Sequence, residues 1–346
     1  MQISAPGKLI LAGEYAVLDG APGLVMAVDR RARVSLEPSA DEHWHVASMQ
    51  DRRRKSSFTY GKDGYPDWRI RADRKTFALV DNVLCNLGLL TLGSCPPFAL
   101  VLDTTEFFES RGGGQKLGLG SSAALTVALA DALERWAGKI ALDEQQQLAH
   151  LMTLHGAFQG GRGSGIDLAA SLVGGVLEFC REPGAYQASL ISRELPPEIL
   201  FKTAWTGRAA STPALLKSLE IATRDRPQAW QRIKDQLGTG ARNACEAMQS
   251  GDADLLLAAI GAYAEDLRLL QEFSGIPIFT PEHEQLAEQA AGLGLVYKPS
   301  GAGGGDMGLA LGTDPEALTQ FCHQAEHLGF HCPDLQVESA GLTGHN

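Results

Sequence analysis

The segment KLGLGSSAALTVALADAL, which begins at Lys116, places glycines and two serines directly before a run rich in alanine and leucine. This run predicts a helix over Ser121–Ala137. A glycine-rich turn that leads into a helix leaves backbone N–H groups without partners, beside the positive end of the helix dipole. Such a turn can bind phosphate groups. The alternative is an ordinary serine N-cap that follows a loop.

A second glycine-rich segment, KPSGAGGGDMGLAL, begins at Lys298. Gly303, Gly305 and Gly308 match the dinucleotide fingerprint G-x-G-x-x-G, but the strand-like letters MGLALG follow, whereas the fingerprint must open a helix. The fingerprint is therefore excluded. A flexible linker is the alternative, but the segment lies between two apolar, strand-like pieces, LGLVY and MGLALG. This position predicts a tight functional loop within a sheet, in which glycines allow close approach of a ligand.

Two further segments each contribute one charged residue. In ISAPGKLILAGEYAVL, Lys8 follows Pro-Gly and precedes an apolar run, which is not a usual position for a solubilising lysine. In QGGRGSGIDLAAS, Asp167 follows a glycine-rich turn and precedes a predicted helix start. A helix N-cap is the alternative role for this aspartate. Lys8 and Asp167 are therefore the candidate catalytic residues.

Together these segments resemble the superfamily of small-molecule kinases named for galactokinase, homoserine kinase, mevalonate kinase and phosphomevalonate kinase. The three family motifs occur in the expected order, near residues 5–18, 116–127 and 298–308. Neither the P-loop G-x-x-x-x-G-K-[ST] nor the H-R-D and D-F-G motifs of protein kinases occur. The letters GEYA, KLGLGSSAA, GSGIDLAAS, WTGRAAST and KPSGAGGGD are most similar to the phosphomevalonate kinase branch, since galactokinases and mevalonate kinases usually have Gly-Glu-His in the first motif.

The resemblance implies ATP-dependent phosphorylation of (R)-5-phosphomevalonate to 5-diphosphomevalonate, in the mevalonate route to isoprenoids, with ATP and Mg²⁺ as cofactors. Mevalonate kinase, or another small-alcohol kinase of the superfamily, is the alternative. A non-catalytic ligand sensor is a third possibility. The joint presence of Lys8, Asp167, Ser122 and the glycine loop argues against a sensor, because a sensor could lose the first two residues without consequence.

The resemblance also implies roles for particular residues. Lys8 would pair with Asp167, keep that carboxylate ionised and stabilise the transferring phosphoryl group, while Asp167 would act on the acceptor oxygen as a base or orienting group. The Ser122 hydroxyl would bind Mg²⁺. Mevalonate kinases place a Mg²⁺-binding glutamate about a dozen residues before the aspartate, where this chain has Gln159 and no acid. The second metal ligand therefore stays open. His155 is assigned a structural or loop-orienting role.

The expected ligand contacts fall into three groups. The nucleotide is expected to contact Lys116, Gly118, Leu119, Gly120, Ser121, Ser122 and Ala123. The acceptor is expected to contact Glu14, Tyr15, Ser164, Ser211, Thr212, Lys298, Ser300, Gly301, Ala302, Gly303 and Gly304. The cations available for an acceptor phosphate are Lys298, Lys116, Arg111 and Arg162.

Composition limits the partners. The chain has 346 residues, of which 44% are hydrophobic and 21% charged, and a net charge of −11, so neither nucleic acid nor an anionic membrane is an expected partner. The six cysteines are scattered without a C-x-x-C pair, which is typical of free thiols in a reducing cytosol. The sequence has no apolar run of roughly 18 residues, and we expect neither a membrane span nor a signal peptide. We therefore expect a cytoplasmic monomer or homodimer that acts on a small molecule.

The predicted fold class is α+β with two domains. The resemblance implies an N-terminal ATP-binding mixed-sheet domain over 1–190 (ribosomal protein S5 domain 2-like) and a C-terminal domain over 191–346, with the active site between them. Helices are predicted over Asp143–Ala157 and, with breaks near Gly238 and Gly251, over Thr212–Phe273. The strand LFKTAW and a last strand, DLQVES, would complete a ferredoxin-like β-α-β-β-α-β arrangement.

Overall fold

The computed structural model describes residues 1–50, 54–87, 95–109, 114–140, 142–159, 163–185 and 187–345. Its strands are β1 (Gln2–Ala12), β2 (Gly23–Pro38), β3 (Trp44–Ser48), β4 (Lys55–Tyr60), β5 (Pro66–Trp68), β6 (Phe98–Asp103), β7 (Val176–Cys180), β8 (Ser189–Arg193), β9 (Leu200–Trp205), β10 (Val296–Pro299), β11 (Met307–Gly312) and β12 (Thr343–His345). Its helices are α1 (Asp73–Thr76), α2 (Ala78–Asn86), α3 (Ser121–Trp136), α4 (Glu144–Gln159), α5 (Ile166–Val173), α6 (Thr212–Thr223), α7 (Pro227–Ser250), α8 (Ala253–Ser274), α9 (Pro281–Gly292) and α10 (Pro315–His327).

The larger sheet is mixed and has the order β12-β1-β2-β6-β3-β4-β5. The long strand β2 pairs with β1 along most of its length, with β7 near its start and with β6 near its end. Only the β3–β6 pair is parallel among the described pairs of this sheet. Helices α3 and α5 pack on β1 and β2, and the alanine-rich face of α3 is fully buried there. The predicted α+β class with a mixed-sheet N-terminal unit is confirmed.

The second sheet is antiparallel, with the order β10-β11-β9, and helices α6 to α10 accompany it. The predicted helix break at Gly251 is confirmed, since this glycine ends α7 at φ +72°. The predicted break at Gly238 is wrong, because α7 continues through it. Within the same helix, Gly240 serves helix packing, because a Cβ there would overlap the carboxylate of Asp266 on α8. The chain breaks instead before Pro227, which begins α7.

The predicted last strand, DLQVES, is also wrong. Within these letters only Val337 makes a bridge, and its partner is Val28 in the larger sheet. The edge of β9 is covered instead by residues 331–335: His331 bridges Trp205, and the Thr203 hydroxyl donates to the Pro333 carbonyl at 3.0 Å. Proline has no N–H to continue a ladder, so the expected fourth strand is reduced to an irregular edge.

The two sheets are not divided cleanly at residue 190. Strand β8 pairs with β7 in the larger sheet and extends to Arg193, and β12 at the other end of the chain pairs with β1. The predicted division into 1–190 and 191–346 stays a prediction, with the last residues returning to the first sheet.

In the part of the chain that the structure describes, no helix combines the length and apolar character needed to cross a membrane. Among the six cysteines, Cys85, Cys180, Cys245, Cys322 and Cys332 carry free thiols.

Candidate active site

A cavity of about 260 Å³ lies where the two sheets and their helices meet, and three helix N-termini supply residues to its wall. Helix α3 begins after Gly120, α5 after Gly165 and α6 after Ser211, and the residue at the N-cap position makes no side-chain cap hydrogen bond in any of the three. The first N–H groups of a helix have no partner within it, and its dipole is positive there. The cavity is therefore suited to an anion that carries several phosphate groups.

The predicted phosphate loop forms one side of this cavity. Gly118 and Gly120 have φ values of +79° and +80°, which favour glycine. The Lys8 N–H donates to the Leu119 carbonyl at 2.9 Å, which ties the loop to β1. Gly118, Leu119, Gly120, Ser121 and Ser122 line the cavity, as predicted, together with Lys116. Ala123 does not line it, because its side chain is fully buried in the core under α3.

Lys8 and Asp167 line the same cavity, but the expected ion pair is not formed in the structure: none joins them within 4 Å. The side chain of Lys8 runs beside Gly120, and a Cβ on Gly301 would lie 3.7 Å from its Nζ. Asp167 accepts the Leu168 N–H at 3.0 Å. Gly165 occupies the N-cap position of α5, so the alternative role of Asp167 as an N-cap is wrong.

A buried histidine supports the start of α3. The Thr126 hydroxyl donates to the Ser122 carbonyl at 2.8 Å and lies 3.0 Å from His155 Nδ1, so this nitrogen is assigned as the donor. His155 Nε2 is buried without a partner in the described chain. Burial lowers the pKa of His155, and the nearby charge of Asp167 opposes that shift. These contacts give His155 the loop-orienting role that was one of its two expected roles.

Lys298 does not face the acceptor as predicted. It is fully buried, does not line the cavity, and its ammonium binds the Glu14 carboxylate. It also donates to the carbonyls of Ile10 at 3.2 Å and Pro299 at 2.8 Å. Burial lowers the pKa of Lys298, and the charge of Glu14 opposes that shift. Lys298 lies in this buried site because the Glu14 carboxylate, which is 3% exposed, needs a cation beside it.

Glu14 and its neighbours connect β1 to the second glycine loop. Glu14 Oε1 also accepts the Gly301 N–H at 3.3 Å, and its Oε2 is buried without a partner in the described residues. The Tyr15 hydroxyl donates to the Ala302 carbonyl at 2.5 Å, and burial raises the pKa of this phenol. Ser300 Oγ accepts the Ile10 N–H at 2.8 Å. All of these predicted acceptor contacts line the cavity: Glu14, Tyr15, Ser300, Gly301 and Ala302.

Of the remaining predicted acceptor contacts, some line the cavity and others do not. Ser164 and Thr212 line the cavity, whereas Ser211 is the exposed N-cap of α6 and does not. Gly303 and Gly304 also lie away from the cavity, because both pack on neighbouring chain: a Cβ on Gly303 would approach the backbone of Ile278 closely, and the Gly304 N–H donates to the Ile278 carbonyl at 3.1 Å. The side chain of Gln159, together with Arg111 and Arg162, lies outside the described residues.

Sequence reasoning missed one charged residue of the cavity, Asp306, and most of its apolar wall. Asp306 ends the second glycine run, and an acid at that position was the available signal. Most of the missed apolar residues lie within the segments singled out above, but nothing in those letters shows which apolar side chains face a cavity and which face the core. Its missed residues are Ile10, Val17, Leu18, Phe107, Ile166, Ala209, Ala210, Pro213 and Leu216.

The residues present suit a metal ion that arrives with a nucleotide. No group of three or more His, Cys, Asp or Glu side chains that could hold an ion alone occurs in the described ranges. Mg²⁺ commonly uses one or two carboxylates together with substrate phosphates and water. The cavity offers the Ser122 hydroxyl and the Asp167 carboxylate, a donor set of that kind.

A fully buried histidine supports the second glycine loop from behind. The Tyr297 hydroxyl lies 2.8 Å from His283 Nδ1, and His283 Nε2 lies 2.9 Å from the Gly305 carbonyl, so Nε2 is assigned as the donor. Burial is the main cause that lowers the pKa of His283 from 6.5 to about 4. The imidazole is therefore neutral in the folded protein at neutral pH.

This histidine predicts a loss of stability in acid. Between about pH 6.5 and 4 the unfolded chain binds a proton at His283 that the folded protein does not, so the free energy of unfolding falls as pH falls. The loss approaches about 1.4 kcal/mol per pH unit, or roughly 3 kcal/mol over the window. Urea unfolding of the wild type and His283→Gln across this window measures it. The free energy of unfolding of the variant should lack this part of the pH dependence. If the free energies of the two proteins instead fell in parallel with pH, His283 would not be its source.

Comparisons with known proteins agree with this geometry. Residues 110–175 match the model of the GHMP kinases N terminal domain, and residues 244–329 match that of the GHMP kinases C terminal. A phosphomevalonate kinase from Streptomyces sp. (strain CL190) is 34% identical, over 92% of this chain and 91% of its own. A mevalonate kinase from Thermococcus sibiricus is 25% identical, over 91% and 90%.

A solved structure, the Streptococcus pneumoniae phosphomevalonate kinase in complex with phosphomevalonate and AMPPNP, has the same fold, with a TM-score of 0.76 and 21% identity over 97% of this chain and 99% of the other. Family models match both halves, and one relative exceeds 30% identity over nearly the full length. The chain belongs to the GHMP kinases, a family of small-molecule kinases.

Proposed function

We propose that this enzyme transfers the γ-phosphoryl group of ATP to (R)-5-phosphomevalonate, giving ADP and 5-diphosphomevalonate. An oxygen of the acceptor phosphate attacks the γ-phosphorus, and the bond to the β–γ bridging oxygen breaks. The observation that carries the proposal is the convergence of three helix N-termini, Lys8, Lys116 and Asp167 on one cavity. That arrangement suits two ligands that both carry phosphate.

Each group has a task in this reaction. The N–H groups of the loop around Gly118 and Gly120 bind the β- and γ-phosphates, and Lys8 stabilises charge on the transferring group. The Ser122 hydroxyl is the candidate metal ligand; when bound, Mg²⁺ neutralises charge on the β- and γ-phosphate oxygens. Asp167 orients the attacking oxygen and accepts its proton when the acceptor reacts as a monoanion.

The acceptor phosphate needs local cations, because the net charge of −11 repels it at long range. Among the described residues that line the cavity, the lysines are Lys8 and Lys116. Lys8 is assigned to the transferring phosphoryl group, so Lys116, which is exposed at the cavity wall, is the candidate cation for the acceptor phosphate. The N-terminus of α6 adds a positive dipole end beside Thr212. The name of the Streptomyces relative, at 34% identity, supports the same acceptor.

Mevalonate is the second candidate acceptor. The observation that favours it is the burial of Lys298 against Glu14, which removes one cation expected to hold the acceptor phosphate. Several relatives of 24% to 25% identity are mevalonate kinases. The two candidates differ by one phosphate group on the acceptor, so a direct comparison of substrates separates them.

We expect phosphomevalonate to be used at least about 100-fold better than mevalonate in kcat/KM. Two charge-assisted hydrogen bonds, at about 1.5 kcal/mol or more each, account for that ratio. Release of ADP, measured with both acceptors side by side, tests it. Lys116→Ala should shrink the ratio, whereas Lys202→Ala, in an exposed ion pair on β9, should leave it unchanged. Equal turnover, or a preference for mevalonate, would favour the second candidate.

A further inference from the structure

Asp306 lies at the junction of three chain segments at the cavity wall. Its N–H donates to the Arg208 carbonyl at 2.7 Å, and its own carbonyl accepts from the Thr206 N–H and the Thr206 hydroxyl, both at 3.1 Å. Its Oδ1 accepts the Ala210 N–H at 3.1 Å. Backbone and side chain of this one residue therefore hold the segment 206–210.

On its other side Asp306 rests on the phosphate loop. A Cβ on Gly118 would overlap the Asp306 side chain, so the absence of a side chain at Gly118 makes room for this carboxylate. Burial raises the pKa of Asp306, while the nearby charges of Lys8 and Lys116 lower it. The side chain thus links the loop that faces the nucleotide to the segment that leads into α6.

The backbone at Asp306 is held in an unusual conformation. Its φ is +59°, in the left-handed region that glycine, asparagine and aspartate tolerate best. The preceding carbonyl, that of Gly305, accepts the hydrogen bond from buried His283. Such a conformation persists only where the surroundings determine it, and it often marks a functional site.

We propose that Asp306 is a positioning residue for the acceptor, which holds the segment 206–210, and with it the N-terminus of α6, against the phosphate loop. Thr212, Pro213 and Leu216 of α6 line the cavity together with Ala209 and Ala210. Release of this segment would therefore displace one wall of the cavity and leave the nucleotide side in place. The inference rests on the proposed function only in its choice of acceptor.

Two substitutions distinguish the effect of the Asp306 side-chain hydrogen bond from the effect of the left-handed backbone at this position. Asp306→Asn keeps an oxygen that can accept the Ala210 N–H and tolerates the left-handed conformation. Asp306→Gly keeps the backbone conformation and removes the acceptor atom. We expect Asp306→Gly to raise KM for the acceptor about tenfold, the size of one hydrogen bond to a charged group, with KM for ATP changed less than about twofold. Asp306→Asn should restore acceptor KM to within about threefold of the wild type.

Hydrogen exchange of the ligand-free protein provides a readout that does not depend on the acceptor. Asp306→Gly should lose protection at the Ala210 N–H, whose acceptor it removes, and Asp306→Asn should keep it. Asp334→Gly, an exposed loop acid that binds Lys202, is the matched control and should change neither KM nor exchange over 206–212. Kinetics use whichever of phosphomevalonate and mevalonate the wild type prefers, so a wrong acceptor leaves this test intact. Unaltered exchange or acceptor KM in Asp306→Gly, or equal damage in both variants, would overturn the proposal.

Discussion

Replacing Asp167 by asparagine is expected to lower kcat by at least about 100-fold and to leave the fold intact. The change keeps the size of the side chain and its ability to accept the Leu168 N–H, but removes the charge that orients the attacking oxygen and takes its proton. Gly165, not Asp167, caps α5, so the cost in stability is limited to the interaction with the helix dipole, about 0.3–1 kcal/mol. Steady-state kinetics and urea unfolding of the same preparation measure both effects.

Asp314→Asn is the matched control for this variant. Asp314 is a true N-cap, whose side chain accepts the Glu316 N–H, and it lies on α10 away from the cavity. Because asparagine caps a helix about as well as aspartate, this variant should lose as little stability as Asp167→Asn and no activity, so the two variants should differ in activity alone. If Asp167→Asn instead unfolded readily, while its folded fraction kept full activity, the residue would be structural and the catalytic assignment would be wrong.

The second large effect is on stability. Lys298→Met or Glu14→Gln should each destabilise the protein by about 3–5 kcal/mol, because each leaves a buried charge without its partner. The double variant should lose less than the sum of the two, since the second change removes the charge that the first left unpaired. Urea unfolding of the four proteins gives the coupling energy directly.

An exposed ion pair provides the contrast. Lys202→Met breaks the pair with Asp334, which lies at the surface, and should cost no more than about 1 kcal/mol. A small loss of stability in Lys298→Met, together with a raised KM for the acceptor, would contradict the buried pair. That result would restore the first interpretation of Lys298 as a substrate ligand.

Sequence reasoning succeeded where chemistry and local structure are neighbours in the chain. The glycines before Ser121 and the alanine run after it share one turn and one helix, so the helix start and the glycine turn before it could be predicted. Lys8 and Asp167 were selected in the same way, because each adjoins a glycine-rich turn. Both line the cavity, although they do not form the predicted ion pair.

It failed where a residue's role depends on a distant partner. A lysine before Pro-Ser-Gly appears suited to bind phosphate, and nothing beside Lys298 shows that Glu14, 284 residues earlier, lies next to it in a buried site. Asp306 was missed for the same reason, since its partners come from the segments around Gly118 and Ala210. The lost fourth strand has a more local cause: Pro333 prevents regular pairing beside β9.

The proposed reaction adds a second phosphate to a phosphate that the acceptor already carries. Phosphorus NMR of wild-type enzyme with ATP, Mg²⁺ and phosphomevalonate tests this most directly, because it distinguishes a phosphate monoester from a diphosphate ester. We expect loss of the monoester resonance and growth of two mutually coupled diphosphate resonances, with ADP formed in equal amount. An unchanged phosphomevalonate resonance, while mevalonate under the same conditions gains a monoester resonance, would contradict it.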